Sequence, residues 1–171
     1  MNRFQVIRDG GNVKRYHTAP MIGEQTVAHH TFGVVCILLE LWPDSSPNLI
    51  KAALRHDVVE CMTGDSPAPA KRAFPPLWEA LHEAERVLLN QFGLYVAITE
   101  EEHRRLKLAD WAELVLTAYE QMTLGNMNFD IVYRRGIEYI ETEYLGTEDG
   151  SRTLRFIEGF VEQKRRALQA S

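Results

Sequence analysis

The chain has 171 residues, 45% of them hydrophobic and 25% charged, and 24 acidic against 19 basic side chains give a formal charge of -5. Those proportions belong to a folded globular domain, so disordered and fibrous classes are excluded, and the acidic balance gives no broad basic face for a nucleic-acid partner. No apolar run approaches the ~18 residues of a membrane span, and MNRFQVIRDGGN has no secretory core, so no membrane partner and a cytoplasmic location are expected (the host cytoplasm if the source is viral).

In chain order, the first 23 residues, with Gly10, Gly11, Pro20 and Gly23, read as an irregular arm with a short strand. A first helix is expected from about Glu24 to Trp42, where Val27, Val34, Ile37, Leu38 and Leu41 recur at helical spacing. Ser46 is a good N-cap before Pro47, and Gly64 a good helix stop, so PNLIKAALRHDVVECMT reads as one helix that is apolar on most sides and central in a bundle. The segment from Gly64 to Lys71 is rich in proline and reads as a loop. Further helices are expected over about Pro76–Phe92, from a Thr99/Glu102 capping box to about Met122, over Phe129–Tyr144 and over Ser151–Leu168. The sum is a single all-α domain, 1–171, a compact bundle of about six helices. Cys36 and Cys61 lie in apolar stretches and are expected to be buried free thiols.

Polar residues interrupt three of those apolar helices. His29-His30 lies in the first, His56-Asp57 in the second, and Asp110 in KLADWAELVL. Glu60 follows His56 by one helical turn, and Asp65 lies just past the helix end. A buried carboxylate is costly without a partner, and one divalent cation would serve all of these groups together. Single buried His and Asp residues are more often satisfied core or capping groups, so spacing alone leaves both readings open. His82 and His103 sit in charged, exposed stretches and carry no expected role. The basic C-terminal KRRALQ suits a helix end rather than DNA.

The order His30, His56-Asp57, Asp110 resembles the H…HD…D signature of the HD-domain phosphohydrolases. RHDVVECMTGDSPAPAKR and KLADWAELVLTAYEQMTLGN resemble blocks of one branch, the YfbR-type 5′-deoxynucleotidases, and Arg15 falls where that branch places a phosphate-contacting Arg. The match spans about Arg15 to Asn126, and the short HD-to-Asp110 spacing resembles the viral DatZ-type dATP triphosphohydrolases. The branch usually has an acidic residue before its first metal-binding His, where this chain has His29. The register between the two histidines is therefore open, with the Arg15 spacing favouring His30.

The resemblance implies an HD-domain helical bundle in which His30, His56, Asp57 and Asp110 hold one divalent transition metal (Co²⁺, Mn²⁺, Zn²⁺, Ni²⁺ or Fe²⁺), with Mg²⁺ accompanying a triphosphate. It implies Glu60 and Asp65 as catalytic groups that orient or deprotonate water or protonate the leaving oxygen. Arg15, Lys71 (or Arg72 in its place) and Lys107 would meet phosphate, and Lys107 shares a helix face with Asp110. Tyr16 would stack on the base, where relatives carry a Trp, with Ile22 and Pro69 lining the base pocket; Trp111 is expected in core packing. The implied activity is hydrolysis of a small-molecule 2′-deoxynucleotide, foremost dATP to deoxyadenosine and triphosphate. The alternatives are a 5′-deoxynucleotidase acting on monophosphates and a non-catalytic helical binding module. A homo-oligomer, dimer or hexamer, is also implied, and the stripe Ile131, Ile137, Tyr139, Ile140 serves an interface or the core equally well.

Overall fold

The computed structural model describes residues 1–170. Among these, every regular element is helical apart from one isolated antiparallel bridge between Lys14 and Thr26. The chain divides into two compact units, the first made of Met1–Gly33 and Ser46–Ile98, the second of Val34–Ser45 and Thr99 onward.

The first unit holds α1 (Arg3–Gly11), the opening half of α2 (Val27–Leu41), α3 (Pro47–Ala53), α4 (Glu60–Thr63), α5 (Ala68–Ala73) and α6 (Pro75–Gln91). Its core gathers Val6, Val58, Val59 and Leu94, with Cys61, Leu88, Leu89 and Phe92 packed against them. The second unit holds the rest of α2, then α7 (Glu100–Thr123), a 3₁₀ turn at Met127–Phe129, α8 (Asp130–Glu143) and α9 (Glu148–Ala170). Here α7 buries Leu108, Ala109, Ala112, Val115 and Ala118, and Trp42 donates its indole N–H to Asp149 at 2.9 Å.

Nine α-helices are thus present among the described residues, where the sequence predicts about six. Three local causes account for the difference. The N-terminal arm is helical because Asn2 caps it: its Oδ1 accepts the Gln5 N–H at 3.0 Å, and Gln5 Oε1 accepts the Asn2 N–H at 2.8 Å. The proline-rich segment carries α5 because Pro69 sits in its first turn, where a missing N–H costs no intrahelical bond. The long helix expected through His56 breaks after Ala53. In an unbroken helix the Ala53 carbonyl would accept the Asp57 N–H; it meets the His56 Nδ1 at 2.7 Å instead. Residues 54–59 continue in tight turns, with Val58 N–H bonding to Arg55 O at 3.3 Å and Glu60 N–H to Asp57 O at 3.0 Å.

Other expectations match the structure closely. Ser46 caps α3 through the Leu49 N–H at 3.1 Å, and the Thr99/Glu102 capping box opens α7. Helix α2 starts at Val27 rather than Glu24 because the Thr26 hydroxyl accepts the His29 N–H at 3.3 Å. The second stretch is less enclosed than its composition suggests, since Leu54 and Met62 are exposed. The expectation of buried thiols is corrected: Cys36 is exposed on α2 and Cys61 only partly covered.

Gly10 is a close-approach glycine, not a loop residue. A Cβ there would fall on the Val58 carbonyl oxygen and lie 2.7 Å from Val58 Cα. Backbone cannot yield as a flexible side chain can, so Gly10→Ala is expected to destabilise the fold by about 1–3 kcal/mol, measured by denaturant melts. A neutral substitution would show that α1 does not bear on the turn after α3.

Candidate metal centre

The arm after α1 is held by backbone pairing. Val27 N–H bonds to Val13 O, and Arg15 N–H bonds to Gln25 O, each at 2.9 Å. That pairing lays the partly buried Arg15 side chain against the 54–59 turn, where its Nη1 donates to Asp57 Oδ2 at 3.2 Å. Helix α2 delivers His30 to the same carboxylate. His30 is fully buried, its Nε2 is 3.6 Å from Asp57 Oδ2, and its neighbour His29 is exposed. Of the two candidate histidines, therefore, His30 is the one that points inward.

His56 completes the convergence. With Nδ1 on the Ala53 carbonyl, the hydrogen-bond pattern assigns the proton to Nδ1 and leaves the Nε2 lone pair 3.3 Å from Asp57 Oδ2. The two imidazoles lie 5.4 Å apart between ring centroids, and the nitrogens that could take an ion lie within 4.8 Å of each other. Two imidazole nitrogens and one carboxylate oxygen thus crowd together, and electron-rich atoms so placed attract a cation. Mixed N/O donors of this kind suit a divalent transition ion, so the residues present fit such a group. The backbone carbonyl behind His56 is the outer partner that fixes ring orientation in metal-binding histidines.

Glu60 opens α4 beside this cluster and is only 6% exposed. Its Oε2 is buried and meets no hydrogen-bond partner among the described residues. Burial first, then the charges of Asp57 and Asp65, push its carboxyl up from 4.5 to about 9, against the smaller opposing pull of Arg15 and Lys71. Asp65 accepts the Tyr16 N–H at 3.3 Å and lies 3.9 Å from His17 Nδ1, so it ties the arm to the segment after α4. Tyr16 has φ 55, the left-handed conformation that glycine adopts most easily, and the bond to Asp65 helps to hold it there.

The remaining candidates are placed as follows. Lys71 is half-buried in the last turn of α5, while Pro69 and Arg72 on that helix, and Ile22 on the arm, are exposed. In the second unit, Lys107 Nζ donates to Asp110 Oδ2 at 3.0 Å along one face of α7, as their spacing predicts. Trp111 stacks on Tyr139 at 4.2 Å between ring centroids, in keeping with packing rather than chemistry. Of the stripe on α8, Ile140 is buried and Ile131 exposed. The sequence gives no periodic signal for His17 or Gln25, because both lie on an arm shaped by backbone pairing. No helix among the described residues is long and apolar enough to cross a membrane.

Neither a protein-family model nor a curated protein matches this chain. Solved structures do. An HD phosphohydrolase of cyanophage S-2L, DatZ, bound to dA and one catalytic Zn²⁺ ion, is similar with a TM-score of 0.69 at 19% identity, over 94% of this chain and 95% of that one. An HD-domain phosphohydrolase of Listeria innocua gives 0.73 at 24% identity, covering 92% and 87% of the two chains. A protein of Pyrococcus horikoshii gives 0.70 at 19% identity, covering 94% and 97%. With its helices in this order and His56-Asp57 at the turn after α3, the chain has the fold of the HD-domain phosphohydrolases.

Proposed function

We propose that this chain is a metal-dependent phosphohydrolase of 2′-deoxynucleotides that cleaves dATP between the 5′ oxygen and the α-phosphorus, releasing deoxyadenosine and triphosphate. One observation carries the reading: the His30 and His56 nitrogens converge on the Asp57 carboxylate beside the buried acid Glu60. A packed core gains nothing from such a cluster, whereas a cation site requires it. The choice of a deoxyadenosine nucleotide is supported by the likeness to DatZ, which binds dA and zinc.

His30, His56 and Asp57 would hold the ion, and Asp110 joins them as fourth ligand by the H…HD…D order. A bound divalent ion supplies Lewis acidity and neutralises phosphoryl charge. Arg15, fixed by its backbone bond to Gln25 and its side-chain bond to Asp57, presents a planar cation to a phosphate oxygen. Lys71 and Lys107 would each meet a phosphate oxygen, where charge spreads during transfer. Glu60 exchanges a proton with the reacting water or with the leaving 5′ oxygen, a task open to a buried carboxyl beside the cluster. Asp65 orients the arm, and through it the Tyr16 ring on which the base stacks, with Ile22 and Pro69 at the edge of that pocket. A homo-oligomer in a cytoplasmic setting belongs to the same reading.

Metal-loaded protein incubated with dATP should yield deoxyadenosine and an unbroken triphosphate on ion-exchange chromatography. Turnover confined to dAMP, with orthophosphate as product, would move the assignment to a 5′-deoxynucleotidase. A chelator should abolish turnover and Co²⁺ or Mn²⁺ restore it. A protein inert with and without metal would be a helical binding module.

A further inference from the structure

Helix α6 presents an aromatic pair that the reaction described above does not use. Trp78 is 41% exposed, and His82, one turn further on, lies against it with ring centroids 4.0 Å apart. Over the Trp78 ring sits the Lys71 ammonium, 5.4 Å from the centroid. Indole faces attract ammonium groups within about 6 Å, and tryptophan does so best among the aromatic side chains. Helices α5 and α6 are joined only through Phe74, so this contact braces the junction between them.

A lysine on a six-residue helix has four rotatable side-chain bonds and, left to itself, spreads its charge over a wide volume. Ordering it on ligand binding costs rotamer entropy, and a cation–π contact at an exposed site returns a comparable free energy. The two are of one size, so the indole can bear most of that cost in advance.

We propose that Trp78, with His82 behind it, is a positioning residue for Lys71, confining its ammonium so that it meets a polyphosphate chain already ordered. Lys71 stands in the last turn of α5, close enough to the reaction centre for its charge to act weakly on the Glu60 carboxyl. The inference rests on the proposed phosphate role of Lys71. The indole touches neither substrate nor ion, and its effect passes entirely through the lysine.

Two measurements test this. Lysines reductively methylated with ¹³C-formaldehyde should show one dimethyl signal displaced by the indole ring current. That signal should be lost in Lys71→Arg and return to the ordinary lysine position in Trp78→Leu. Binding of inorganic triphosphate to the metal-loaded protein, followed by calorimetry, should weaken about two- to fivefold in Trp78→Leu and recover in Trp78→Phe. The same factor should appear in KM for dATP with kcat unchanged, and Trp78→Leu should be silent in a Lys71→Ala background. Trp78→Leu binding triphosphate as tightly as the unaltered protein, or weakening it equally without Lys71, would overturn the proposal alone. An unaltered protein that binds no triphosphate, its ring-current signal intact, would instead overturn the phosphate role on which the proposal stands.

Discussion

Asp57→Ala is expected to empty the protein of its ion and to lower turnover by ~10³-fold or more, because Lewis-acid stabilisation worth several kcal/mol goes with it. The expectation follows from where the carboxylate sits. Its Oδ2 is the atom on which Arg15, His30 and His56 all converge, at 3.2, 3.6 and 3.3 Å. Removing it deletes the negative charge that makes two adjacent imidazoles and a guanidinium compatible with a bound cation. A thermodynamic readout separates this from mere misfolding. Metal binding to the native state stabilises by mass action, about 4 kcal/mol at a thousandfold excess over Kd. The unaltered protein should therefore melt higher with Co²⁺ or Mn²⁺ than with chelator, whereas Asp57→Ala should melt at one temperature in both. An Asp57→Ala protein that kept a stoichiometric ion by elemental analysis would remove Asp57 from the ligand set.

What could be read from the letters divides along physical lines. Helices with local, self-contained signals are legible: Ser46-Pro47 at the start of α3, and Thr99 with Glu102 at the start of α7, carry their caps in adjacent residues. The break at Ala53 is not legible, because it depends on a side chain, His56, taking a backbone carbonyl that the helix would otherwise use. Nor is the role of Gly10, since its lack of a Cβ matters only against Val58, 48 positions away in sequence. The site divides in the same way. His56-Asp57 stands out as polarity inside an apolar run, and His30, favoured by the Arg15 spacing, is separated fully from His29 once burial is known. Asp65 illustrates the limit. The resemblance implies acid–base work for it, and its bond to the Tyr16 N–H adds a part in holding the arm that no sequence pattern signals.

Glu60→Gln should separate catalysis from metal retention, with the ion kept and the rate reduced by about 10²–10⁴-fold, the usual worth of a positioned proton carrier. The same substitution makes a second, independent prediction for the metal-free protein. In the native state the Glu60 carboxyl is raised to about 9, chiefly by burial and then by Asp57 and Asp65, while in the unfolded chain it titrates near 4.5. Between those values the folded protein binds a proton that the unfolded chain has released. The stabilising contribution is therefore complete below about pH 4.5 and is lost as pH rises toward 9, at up to ~1.4 kcal/mol per pH unit. Glutamine has the shape of the protonated acid and cannot titrate, so it should keep the low-pH stability and remove this slope. Across pH 5–8, chelator-treated Glu60→Gln is expected to melt increasingly above the chelator-treated parent, with the two converging at the acid end. Parallel melting curves would mean that the Glu60 carboxyl is solvated in the native protein, and its place as the buried proton carrier would go to another group.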